Sequence, residues 1–222
     1  MSREAGAARR RTRAMVDWLA FSPVHVDPDL ILRLQKYRQL ETVPRPVREV
    51  ARQMAATAEG LVEPQGWIWR GPVRTLDAAG GVEIGDAVRF ESLTLARVLE
   101  GATHAAVVVL TIGPQLERRA HELIGEEQLV EGLLLDTAGW VAIDALLKET
   151  RRRLAADAKS QGHRLTGRMA PGLAGWGLEQ QRGLFSVFDG AALSVHLTEA
   201  CVMIPRKSVS GVYGLVPVTN AR

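Results

Sequence analysis

The sequence predicts an α+β fold in which helices pack on an antiparallel sheet. Helical patterns with one apolar face come first, between about residues 14 and 60, and short aromatic and β-branched runs follow them. A long helical pattern over residues 126–159 then precedes further strands. Regular βαβ alternation, which would give a parallel sheet, is missing.

Residues 12–20 predict a first helix, stopped at Ser22-Pro23 because the residue before a proline is pushed out of the α region. Asp27-Pro28 opens a second, with aspartate as N-cap, proline at the first helical position and an apolar face of Leu30, Ile31, Leu34 and Tyr37. A third helix runs over 46–60 through Val47, Val50, Ala51, Met54 and Ala58. Trp67-Ile68-Trp69, Gly71-Pro72 and Val73 read as strand, turn, strand. The two tryptophans either pack in a half-buried strand or offer a stacking platform for a ring. Residues 82–84 and 88–90 continue the alternation, and a short helix over 93–99 follows.

Residues 105–110 are wholly apolar and end at Thr111-Ile112-Gly113-Pro114, which predicts a central strand and a turn. A helix then runs over 114–125. The long helix after it has core positions Val130, Leu134, Ala138, Val141, Ala145 and Leu146. Gly132 and Gly139 inside it each cost roughly 1 kcal/mol against alanine, so close packing of another backbone is expected there. Asp136, Trp140 and Asp144 recur every four residues. They either present carboxylates to a ligand amine or to Arg168, or form a solvated acidic edge. A helix over 178–188 and an alternating strand over 193–198 come next. The last strand, 208–216, puts Ser208, Ser210, Val212 and Gly214 on one unusually small side, as if something leans on it.

With 222 residues and 46% apolar content the chain supports one sizeable core, so we expect a single domain over 14–222 behind a basic flexible tail, 1–13. The tail carries Arg3, Arg9, Arg10, Arg11 and Arg13 against Glu4, or +4, which leaves −1 for the rest of a chain whose net charge is +3. A neutral body argues against nucleic-acid binding. No apolar run approaches the length of a membrane span and no signal pattern opens the chain, so a cytoplasmic protein is expected. Cys201, the single cysteine, excludes an internal disulfide and reads as a buried filler within an apolar run. The five histidines form no i, i+3 or i, i+4 pair, so no metal site is expected, and no nucleophile motif or phosphate loop is present.

The most informative stretch is 168–214. Its Arg168-Met169-Ala170-Pro171-Gly172 turn and its run over 203–211, Met-Ile-Pro-Arg-Lys-Ser-Val-Ser-Gly, both break ordinary helix and strand rules, and glycines within it suit close approach of backbone to a ligand. Arg168, Pro171, Gly172 and Trp176, followed by Leu197-Thr198-Glu199 and by Met203, Pro205 and Lys207-Ser208-Val209-Ser210-Gly211, resemble the activation domain of cobalamin-dependent methionine synthase. Thr111-Ile112-Gly113-Pro114 and Leu135-Asp136-Thr137-Ala138-Gly139 look like further landmarks of that family, so the likeness covers roughly 100–215. Leu173 stands where the family has tyrosine, Ala174 where it has glycine and Gly175 where it has aspartate.

The resemblance implies an activation-domain-like fold, with a ligand-binding part over about 100–216, and S-adenosylmethionine as ligand. It implies that Arg168 grips the ligand carboxylate, that the main chain of Ala170 and Gly172 meets the adenosine, and that Pro171 and Leu173 complete the turn. Glu199 and Asp144 become candidates for the amino group or sulfonium, and residues 203–211 for a wall facing the corrinoid. No residue is expected to be catalytic. The chain has no cobalamin-binding motif, so the cobalamin is expected on a partner, a corrinoid-binding methyltransferase, with an electron donor protein beside it. The implied function is that of a stand-alone reactivation partner, an accessory to methionine synthase activity. The alternative is a non-catalytic interaction module that has lost the ligand, because a shared fold does not guarantee function.

Overall fold

The computed structural model describes residues 15–77, 79–85 and 88–218. The basic stretch 1–13 lies outside them. The helix expected over 12–20 is instead, where described, an edge strand, β1 (Met15–Leu19). Val16 and Trp18 are exposed while Asp17 and Leu19 turn inward, a period of two. The strand pairs antiparallel with Gly66 to Arg70 of β2 (Gln65–Leu76), and Asp17 forms an ion pair with Arg70 across that register.

Helix α1 (Pro28–Leu34) starts as expected, with the Asp27 side chain accepting from the Asp29 N–H at 2.8 Å. Its buried face is Ile31 and Leu32, whereas Leu30 and Leu34 face solvent. Helix α2 (Arg45–Leu61) buries Ala51, Met54, Ala55 and Ala58. Gly71-Pro72 is not a turn, because β2 runs straight through it. The Trp69 ring folds over Gly71, where a Cβ would stand 2.1 Å from the indole, and the Pro72 carbonyl accepts from the Gly85 N–H. A proline donates nothing to the ladder, and the register shifts between Val73 and Thr75. Strands β3 (Gly81–Ile84) and β4 (Val88–Glu91) and helix α3 (Leu93–Val98) follow.

The sheet is antiparallel throughout, in the order β4-β3-β2-β5-β9-β6 with β1 also on β2, where β5 is His104–Thr111, β6 is His163–Leu165 and β9 is Ser208–Pro217. Residues 105–110 of β5 are wholly apolar because both faces of the strand are covered. On one face Ala106, Val108 and Leu110 meet helices α4 (Gln115–Gly125) and α5 (Leu129–Ser160) together with α1 and α2. On the other, Ala105, Val107 and Val109 meet Trp67, Trp69, Leu95, Leu99 and the residues around Trp176. Both tryptophans of β2 are therefore core.

In α5 the expected core positions Leu134, Ala138, Val141 and Leu146 are buried, whereas Val130 is exposed. Gly132 lets α4 approach, since a Cβ there would stand 3.0 Å from the Ala120 carbonyl oxygen. The helix expected over 178–188 divides into a 3₁₀ turn, Leu178–Gln180, and α6 (Gln181–Ser186). The strand expected over 193–198 shortens to β7 (His196–Leu197), paired with β8 (Met203–Ile204).

Candidate functional site

β9 pairs with β5 along eight residues on one edge but with β6 only at Leu215 to Pro217 on the other, which leaves the edge of Ser208 to Gly214 open to a non-strand segment. Residues 166–169 fill part of it. Thr166 N–H donates to the Gly214 carbonyl at 3.0 Å, and Met169 and Val212 exchange two backbone hydrogen bonds at 3.0 and 2.7 Å. Between these anchors Arg168 Nη1 donates to the Ser210 carbonyl at 2.5 Å. Its stem occupies the place of a side chain on Gly211, where a Cβ would stand 2.7 Å from Arg168 Cγ. Arg168 makes no ion pair among the described residues, so its other N–H groups have no carboxylate to serve.

The turn after Arg168 is held from behind. Leu173 N–H donates to the Ala170 carbonyl at 3.1 Å, Trp176 N–H to Leu173 at 2.9 Å, and Gly172 N–H to Trp176 at 2.7 Å. Gly172 has φ 85°, a conformation that glycine adopts without a steric penalty. The buried Trp176 ring meets Phe90 edge-on at 5.2 Å, and Thr94 Oγ1 donates to the Ala174 carbonyl at 2.8 Å. Gln181, also buried, donates to the Cys201 carbonyl at 3.2 Å and accepts from Ser210 Oγ at 3.1 Å. That side chain is what leans on the small face of β9.

These segments enclose a cavity of about 630 Å³. One wall is the turn, with Arg168, Ala170, Pro171, Leu173 and Leu178. The second is Cys201, Val202, Met203 and Arg206 to Ser210, and the third comes from Glu117 and His121 of α4 and Asp136 and Trp140 of α5. Lys207 is buried, with Nζ 2.7 Å from Asp136 Oδ1 and 4.4 Å from the centre of the Trp140 ring. Cys201 is free and buried, as expected.

Of the residues singled out from the sequence, Arg168, Ala170, Pro171 and Leu173 line the cavity, and Gly172 sits between two of them. Asp144 and Glu199 do not line it. Asp144 pairs with Lys148 at 2.6 Å on the exposed side of α5, and Glu199 is exposed with its carbonyl accepting from Arg182 at 2.5 Å. Each residue of an α-helix turns about 100°, so two steps of four carry Asp144 about 80° away from Asp136. Asp136 is the carboxylate of that series that reaches the cavity. Gln181, Glu117 and His121 were missed, because nothing in a single sequence marks a helix residue that faces a strand edge far along the chain. Among the described residues no group of His, Cys, Asp or Glu is placed to hold a metal ion, and no helix is long and apolar enough to cross a membrane.

No family model and no curated protein sequence matches the chain. Among solved structures it is similar to the MetH reactivation domain bound to AdoHcy, with 12% identity and a TM-score of 0.61 over 96% of this chain and 82% of that one. The chain therefore has the α+β architecture of that reactivation domain, with helices packed against an antiparallel sheet.

Proposed function

We propose that this protein binds S-adenosylmethionine and supports reductive remethylation of a corrinoid carried by a partner methyltransferase of the methionine synthase kind. One observation carries the reading: the Arg168 turn and the 203–211 run, far apart in the sequence, meet around a single cavity. Its volume lies in the range of small-ligand sites, and its wall sets polar and charged side chains among apolar ones, as a ligand with both charged and ring parts requires. The shared fold, in a domain whose crystal structure holds AdoHcy, supports the same ligand class.

In this reading Arg168, oriented by its bond to Ser210, presents its remaining N–H groups to the ligand carboxylate in a two-point pairing that lysine would not reproduce. The main chain of Ala170, bonded to Leu173, and of Gly172, bonded to Trp176, meets the adenosine, with Pro171 and Leu173 beside it. The wall from Met203 to Ser210 faces the partner. The ligand supplies the methyl group, and the protein's contribution is placement. An electron donor protein completes the system in the cytoplasm.

Calorimetric titration of the purified protein with S-adenosylmethionine tests this. Saturable binding is expected, and Arg168→Ala should weaken it by about 1.5–3 kcal/mol, the range for a hydrogen bond to a charged group. Absence of binding to the wild type would leave a ligand-free interaction module.

A further inference from the structure

The charges in the cavity wall are already paired, except one. Lys207 Nζ donates to Asp136, while Glu117 accepts from the Arg206 backbone N–H at 3.0 Å and lies 4.0 Å from its Nε. Arg168 alone of the wall's arginines and lysine has no carboxylate among the described residues. The same Lys207 ammonium covers the face of Trp140, the aromatic residue of the wall. It is held there because Gly139 leaves room for its stem, a Cβ at that position standing 3.0 Å from Lys207 Cε.

A ligand cation is recognised by a carboxylate or by an aromatic face. Lys207 engages Asp136 and Trp140, Arg206 holds the second carboxylate of the wall, Glu117, and the remaining free charge, on Arg168, is taken up by the carboxylate that both ligands carry. We infer that the site reads the carboxylate and the adenosine of its ligand but not the charge at sulfur, so S-adenosylhomocysteine binds as tightly as S-adenosylmethionine. This rests on the ligand class proposed above. The thioether left when a sulfonium gives up its methyl group is then an equal competitor, and the ratio of the two pools sets how much of the protein holds the methyl donor.

Both ligands titrated into the wild type and into Lys207→Met test the inference. The wild type should bind them within about threefold of each other. Lys207→Met, which frees Asp136 and Trp140, should come to prefer the sulfonium by about tenfold, with the thioether affinity reporting that the fold survives. Asp136→Asn gives a second measurement, because it leaves the Lys207 ammonium unpaired in the wall and should therefore shift the ratio toward the thioether. A wild type that prefers the sulfonium by more than about threefold, or a Lys207→Met variant that binds the thioether but does not come to prefer the sulfonium, overturns this inference while leaving the proposed function standing. Binding of neither ligand overturns both.

Discussion

Leu173 is the residue at which the chain parts from the family it resembles, and the structure puts its side chain 46% exposed at the cavity rather than in the core. A tyrosine there would offer a ring to the ligand without displacing packed neighbours. Leu173→Tyr is expected to tighten S-adenosylmethionine binding by about 0.5–1.5 kcal/mol, the contribution of an aromatic contact beyond its buried area, with the melting temperature unchanged. A lower melting temperature with no tighter binding would mean that the ring has been forced against the turn. At this scale the sequence was informative where a residue type has one use, as with the arginine followed by a proline-glycine turn. It misled where position depends on helical phase: Asp136 and Asp144 look alike as letters, yet one holds Lys207 and the other Lys148.

Among the elements, the helices were legible because their signals are local. Asp27-Pro28 caps α1 without help from the rest of the chain, and the apolar run of β5 announces a strand covered on both faces. The edge strand β1 was not, since its five residues become a strand only by pairing with β2, some fifty positions later. Glycines inside helices divide in the same way between local propensity and tertiary contact. Gly60, near the end of α2, has nothing within 4 Å of an added Cβ, so Gly60→Ala should stabilise the protein by about 0.5 kcal/mol through propensity. Gly132 shares the propensity but faces Ile124 Cγ1 at 2.6 Å and the α4 backbone at 3.0 Å. Overpacking of about 1–3 kcal/mol then exceeds the gain, and Gly132→Ala should destabilise by about 1 kcal/mol in denaturant unfolding. If both variants were stabilised, α4 and α5 would not be packed as tightly as their separation implies.

The cavity belongs to the whole molecule, because no one part of the chain builds it. α4 and α5 come from the helical layer, β9 from the sheet, and the turn after Arg168 from the segment that closes the sheet's open edge. Unfolding any of the three removes a wall, so a ligand held between them binds the folded state alone and stabilises it by mass action. At a hundred times its dissociation constant S-adenosylmethionine should add about 2.7 kcal/mol. For a chain of this size that is a rise in melting temperature of about 5–10 °C. Arg168→Ala should show the same rise only at proportionately higher ligand concentration, since it changes affinity and not the linkage. The competing picture is a ligand resting on the turn alone, in which the turn opens locally while the sheet and helices stay folded. There, saturable calorimetric binding would be accompanied by a change in hydrogen exchange confined to residues 168–178. In the cavity described above, protection must extend to the N-terminal half of α5 and to the edge of β9.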